Sequence, residues 1–225
     1  MAQEVGARLG ERQVLLAEVQ VGGCKIVTDS AFERILYIAH DHLNREHGVL
    51  RDANPATDAI VLVESARMTS GRPWHPERLF FLLSSARHFA AELEADGFTV
   101  RYLQAATTVD GLRAAQAEFG ALPIHAAEPS SFKQLELLRE FGVEFTANDF
   151  FLTSRPDFRL WADRQKTFVM ENFYRAQRDR LGIMVTKGEP AGGRCNFDAD
   201  NRLAPPKNYT WPPYLEHQRD ETDEL

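Results

Sequence analysis

Arg34-Ile-Leu-Tyr-Ile-Ala-His40 is a nearly unbroken apolar run that stops abruptly at Asp41-His42-Leu43-Asn44. Continuous rather than alternating hydrophobicity marks a strand buried on both faces, the situation of a parallel sheet covered by helices on each side. Four further strands follow, and the runs are mostly unbroken. Ala59–Val63 (AIVLV) ends on Glu64, Phe98–Leu103 follows, Ile124–Ala127 ends on Glu128-Pro129, and Val143–Thr146 leads to Asp149. Helical stretches alternate with these runs. In Pro76–Ala95, residues Leu79, Leu82, Leu83, Ala86, Phe89, Ala90 and Leu93 recur at steps that line one helix face. Pro76 suits a first helical turn and Gly97 a helix end. Val109–Phe119 and Phe132–Phe141 are shorter helices, the latter capped by Ser130 or Ser131. This βαβα order predicts an α/β fold with a doubly wound, mostly parallel five-stranded sheet, Rossmann-like, whose strands all end on one edge.

That domain spans residues 34–150. Residues 1–33 read as an N-terminal extension, in which Val14–Leu16 and Val19–Val21 have the composition of short strands interrupted by Gly22-Gly23. Residues 151–202 form a helical and loop connecting segment. It holds a short helix at Asp157–Asp163 and a second that runs from about Gln165, through Phe168, Met170, Phe173 and Tyr174, to Leu181-Gly182. The run Lys187-Gly-Glu-Pro-Ala-Gly-Gly-Arg-Cys-Asn-Phe-Asp198 is too rich in Gly and Pro for a regular element. Residues 203–225, with Pro205-Pro206, Trp211-Pro212-Pro213 and an acidic end, have the composition of an extended linker or tail.

Composition excludes several classes. A net charge of −7 over 225 residues argues against indiscriminate nucleic-acid binding by the whole surface, although Arg155–Arg180 carries a local basic run that also suits a solvated helix face. Two cysteines, Cys24 and Cys195, make neither a disulfide framework nor a four-thiolate cluster. No window approaches the ~20 apolar residues of a membrane span, so no membrane partner is expected and the cytoplasm is the expected location. Phosphate-cradling glycine motifs and a nucleophile elbow are absent. His40, His42 and His47 lack the further ligands of a metal site, and no metal is expected there.

Ligands of open parallel sheets bind beyond the carboxyl ends of the strands, where strand order reverses. Asp41, His42 and Leu43, Glu64 and Glu128 lie at such ends. Carboxylates and an imidazole there can read the donors and acceptors of a heterocycle, and Trp74 is placed to stack on a ring. The plainer role for the same residues is to cap helices and satisfy backbone amides. No catalytic group stands out.

The succession LYIAHDHLN, VLVES, HPERLFFLLSSARHFAAEL and then NDFFLTSRPDFRLWADRQKTFVMENFYRAQRDRLGIMVTKGEPAGGRCNFDADNR resembles the N-terminal half of bacterial photolyase-related proteins. These form the iron–sulfur photolyase/cryptochrome group, which includes prokaryotic (6-4) photolyases. The similarity runs from about Arg34 to Arg202 and is most specific from Phe151 onward, in F-Y-R followed by G-G-R-x-N-x-D-x-x-N-R. The resemblance implies an antenna domain that holds 6,7-dimethyl-8-ribityllumazine at the strand ends. It also implies a C-terminal helical domain with FAD, an iron–sulfur cluster and a DNA-lesion pocket, where photoexcited reduced flavin gives an electron to a pyrimidine lesion. The family's G-D-Q-L stands here as His40-Asp41-His42-Leu43, so Asp41 and Leu43 match and the two histidines differ. Glu64 matches the family's carboxylate after the second strand. Cys195 replaces an aromatic residue, and the basic residues before the long helix reduce to His75 and Arg78.

On this reading Asp41, His42, Leu43, Glu64, Trp74 and Glu128 hold the chromophore, while Arg155, Arg175 and Arg178 meet a helical flavoprotein domain or DNA. FAD and the cluster belong to the C-terminal domain, so this chain alone is expected to be inactive in repair. Two other readings fit the residues: a stand-alone α/β protein that binds a flavin- or nucleotide-like metabolite, and a docking module for a separate flavoprotein.

Overall fold

The computed structural model describes residues 17–21, 24–28, 32–71, 73–198, 204–213 and 218–223. They fall in two compact units, one within Met1–Phe150 and Arg219–Leu225, the other within Phe151–Gln218.

The first unit contains an antiparallel hairpin, β1 (Ala17–Val21) with β2 (Cys24–Thr28), where Val21 pairs with Cys24. Strand composition at Val19–Val21 anticipates part of it, while Val14–Leu16 lies outside the described residues. The main sheet comprises β3 (Arg34–Tyr37), β4 (Asp58–Ser65), β5 (Thr99–Ala105), β6 (Ile124–Ala127) and β7 (Glu144–Thr146). Its order is β5-β4-β3-β6-β7 and every pairing is parallel. The sheet is therefore doubly wound, and the order reverses between β3 and β6. The crevice outside their carboxyl ends is where such a sheet admits a ligand.

Side chains alternate across this sheet, and each face has its own core. Leu36, Ile38, Ile60, Leu62 and Val100 meet Ala86, Phe89, Ala90 and Leu93 of α2 (Pro76–Ala95), together with Val49 and Leu50. Ile35, Tyr37, Val61, Val63 and Ile124 meet Leu112, Ala115 and Phe119 of α3 (Thr108–Phe119) and Leu138 of α4 (Phe132–Phe141). A five-residue helix, α1 (Ala66–Ser70), leaves β4. Ser131, rather than Ser130, caps α4 by accepting from the Gln134 amide, and Thr107 caps α3 in the same way through Asp110.

Helix α3 approaches β4 closely because position 111 has no side chain. A Cβ on Gly111 would stand 2.5 Å from Val63 Cγ1 and 2.8 Å from Cγ2. Gly111→Ala is therefore expected to lower stability by about 1–3 kcal/mol through overpacking. Adding Val63→Ala should return part of that loss, and urea unfolding of the two single variants and the double variant measures the coupling. Simple additivity would show that the helix shifts away without meeting Val63.

The acidic end, read from composition as a linker or tail, returns to the sheet unit over its described part. A 3-10 turn at Glu221–Asp223 lies on α2, and the Arg219 guanidinium sits 5.0 Å from the Phe80 ring centroid.

In the second unit, α5 (Arg155–Ala162) begins at its Ser154 cap, two residues earlier than the sequence indicates, because Arg155 and Pro156 occupy the first turn. Helix α6 (Met170–Leu181) begins later than the expected start near Gln165, after Val169 in extended conformation. A short hairpin joins β8 (Val185–Thr186) to β9 (Glu189–Pro190). Phe158, Trp161, Phe168 and Phe173 form a cluster of tilted and edge-on rings. Phe168 nevertheless remains 72% exposed and Met170 78%.

Candidate functional site

The carboxyl edge of the sheet carries two polar groupings on either side of Asp41. Leu36, Ile38 and His40 alternate with the residues that face α3, so His40 lies on the α2 side, as Glu64 does after Ile60 and Leu62. Parallel register places Leu62 beside Tyr102 and Glu64 beside Gln104. Helix α2 brings Arg87 over them. The Glu64 carboxylate accepts from Arg87 Nη2 at 2.9 Å and Nε at 3.3 Å, from the Tyr102 hydroxyl at 2.8 Å and from Gln104 Nε2 at 3.3 Å. Three of these bonds fall on Oε2, and only the long one from Gln104 reaches Oε1.

The His40 ring lies parallel to that of Tyr102, with centroids 6.4 Å apart. Both of its ring nitrogens are buried and neither has a hydrogen-bond partner among the described residues. Burial pushes the His40 pKa down, against the pull of the nearby Glu64 and Asp41 carboxylates, so the ring is neutral near pH 7. A neutral imidazole offers one donor and one acceptor, and here both are unused.

His42 belongs to the second grouping. It is 5% exposed and stacks on Phe150 with centroids 4.4 Å apart. These two rings line a small cleft at the β3/β6 switch point, with Tyr37, Ile38, Gly48 and Ala127 around it. Asp149 fastens the loop below by accepting from the Gly48 amide at 2.8 Å and from Arg51. Burial lowers the His42 pKa as well, more than Asp41 and Asp149 raise it.

The other residues singled out from sequence occupy the same edge in different roles. Asp41 is exposed, and Leu43 packs against the α2-side core. The Trp74 indole donates to the Met68 carbonyl at 2.7 Å and carries the Arg78 guanidinium 5.1 Å from its centroid. Glu128 donates its amide to Thr146 and receives the Asn148 side chain on its carbonyl, so its backbone joins β6 to the loop after β7. Of the three arginines assigned to a partner, Arg175 pairs with Glu171 at 2.9 Å. Arg178 is buried within its own unit, donating to the carbonyls of Cys195 and Met184 and to the Tyr174 hydroxyl. It pins the glycine-rich loop to α6 and has no free face for a partner. Arg87, Tyr102 and Phe150 escape the sequence reading. The β4/β5 register would have exposed Tyr102, but only the packing of α2 and the loops reveals the other two.

The half-buried His40 and the buried His42 both make stability depend on pH. The unfolded chain binds protons at about pH 6.5, where the folded chain still resists them. Stability is thus complete above that pH and is lost as pH falls below it, by at most about 1.4 kcal/mol per pH unit for each histidine. Urea midpoints measured between pH 7.5 and 5.5 should fall, and His40→Gln with His42→Gln should flatten the decline. An unchanged slope in the double variant would assign the effect to other groups.

The five-stranded parallel sheet flanked by helices defines a Rossmann-like α/β domain. Residues 36–225 match the family model described as deoxyribodipyrimidine photo-lyase-related protein, and the chain belongs to that family. It is similar to the (6-4) photolyase of Agrobacterium fabrum (strain C58 / ATCC 33970), with 30% identity over 181 residues. That match covers 75% of this chain and 36% of the relative's length. Among the described residues no helix is long and apolar enough to cross a membrane.

Proposed function

We propose that this chain is the antenna-chromophore-binding part of a light-dependent DNA photolyase acting on pyrimidine lesions, and that it holds 6,7-dimethyl-8-ribityllumazine at the carboxyl edge of its sheet. The observation that carries the reading is His40, whose two buried nitrogens lack partners beside a carboxylate with one lightly used oxygen. A donor and acceptor pair next to an acceptor suits the polar rim and hydroxylated chain of such a chromophore. His40, Asp41 and Glu64 would hold the polar groups, with Tyr102 and Trp74 beside them. His42, closed under Phe150, supports the wall rather than the ligand. When bound, the lumazine absorbs light and passes excitation on. FAD, the iron–sulfur cluster and the lesion pocket belong in this proposal to a helical domain, and repair requires that domain.

The test is a titration of the purified chain with ribityllumazine, followed by absorption and fluorescence. Saturable binding that His40→Ala weakens at least about tenfold, with the fold intact by circular dichroism, is the expected result. Absence of binding, or equal binding by the variant, would overturn the assignment.

A second reading, the docking module for a flavoprotein, has its own support in the second unit. Among its described residues Arg178 alone is buried, while Phe151, Leu152, Leu160, Phe168 and Met170 are each more than half exposed. A unit that exposes so much apolar surface favours being covered. The Trp161 fluorescence should shift when a helical flavin-binding domain of this family is added. Replacing Phe168 and Met170 with serine should abolish that response.

A further inference from the structure

We propose that His88, Asp220 and Asp223 form a binding site for a divalent cation of the zinc class, distinct from the carboxyl-edge site. His88 lies on α2 and the two carboxylates on the returning C-terminal segment, 132 residues away for the closest pair. One ligand atom from each residue lies within 4.8 Å of the others.

The geometry of the imidazole distinguishes this grouping from a chance meeting of surface acids. His88 Nδ1 lies 2.9 Å from the Ser84 backbone carbonyl, which can only accept, so the hydrogen of the neutral ring sits on Nδ1. Nε2 then directs its lone pair at Asp220 Oδ2, 3.0 Å away. Two lone-pair atoms face each other, and a cation must stand between or beside them: a proton on the ring or a metal ion. An imidazole with one nitrogen on a backbone carbonyl and the other turned toward a carboxylate has the outer-shell arrangement of metal-ligating histidines. Asp223 lies on the same spot, held by the Ser84 hydroxyl through Oδ1 and by the Asp220 amide through Oδ2 at 3.1 Å. One imidazole and two carboxylates give the three protein ligands of an open zinc site, with a further position left for water. Among first-row metals such a mixed N/O set also accepts cobalt and nickel.

A bound ion would tie the end of the segment to α2, adding to the Ser84 bond to Asp223 and the contact of Arg219 with Phe80. The sequence conceals the site because no spacing rule connects position 88 with positions 220 and 223.

The experiment is calorimetric titration of the chelator-treated full chain with zinc chloride at pH 7.5, repeated with cobalt chloride to read the visible spectrum of the bound ion. One equivalent with a dissociation constant below about 10 μM is expected. Asp220→Asn, an exposed change that leaves the core untouched, should weaken binding at least tenfold, and His88→Gln should do the same. His125→Gln, on β6, should have no effect. Absence of binding, or binding that survives both Asp220→Asn and His88→Gln, overturns the proposal and leaves a protonated His88 paired with Asp220.

Discussion

Replacing Glu64 with alanine is expected to destabilise the sheet unit by about 3–5 kcal/mol, as breaking a buried ion pair from one side does. Both partners are well covered, with the Arg87 side chain 10% exposed and that of Glu64 13%. Alanine leaves the guanidinium without its carboxylate and also removes the acceptor of the Tyr102 hydroxyl and of Gln104. Glu64→Gln keeps an oxygen for those donors and loses only the charge, so about 1–3 kcal/mol is expected. Urea unfolding at pH 7.5 checks both, and equal midpoints for the alanine variant and the parent would mean that Arg87 relaxes into solvent. This ranking bears on function. Loss of a chromophore signal in Glu64→Ala would report collapse of the Arg87–Tyr102 network as readily as loss of a ligand contact. Glu64→Gln and His40→Ala are the variants that separate the two.

The fold was legible in sequence because its determinants are local. The central strands β3 and β4 are nearly unbroken apolar runs, the long helix α2 has one apolar face, and Ser, Thr and Gly mark helix ends, as at Thr107, Ser131 and Gly142 with its φ of +95°. The site was legible only as an edge. The sequence places Asp41, Glu64 and Glu128 at strand ends, yet it cannot state which side chains turn toward one another. Glu64 reads as an open carboxylate until α2 swings Arg87 over it. His42 reads as an edge residue, and the sequence gives no sign that Phe150, more than a hundred positions away, stacks on its ring. Arg178 illustrates the same limit in the second unit. In a basic run it suggests a surface for DNA, but its guanidinium faces inward to satisfy the carbonyls of Met184 and Cys195. Such long-range pairings depend on loop paths, which periodicity does not encode.

At the opposite edge of the sheet, Asp58→Ala is expected to cost about 2–4 kcal/mol. Asp58 begins β4 and Arg34 begins β3, and the register sets them side by side. The carboxylate is 1% exposed and accepts from Arg34 Nε at 2.8 Å, Arg34 Nη2 at 3.0 Å and the Asn54 amide at 2.8 Å. Alanine therefore strands a backbone donor at Asn54 as well as a cation, although the Arg34 side chain, 34% exposed, recovers some water and keeps the loss below that at Glu64. Burial alone would raise the Asp58 pKa, but the bonds from Arg34 and Asn54 outweigh it and hold the carboxyl below its ordinary value. A depressed folded pKa contributes stability that is complete above about pH 4 and is lost as pH falls through the folded value. Asp58→Asn can keep an acceptor for the Asn54 amide and cannot titrate. Its stability relative to the parent should therefore be lowest near neutrality and should converge as the pH approaches 3. A constant gap between the two across that range would show that Asp58 contributes through packing and the Asn54 bond, with no net gain from its charge beside Arg34.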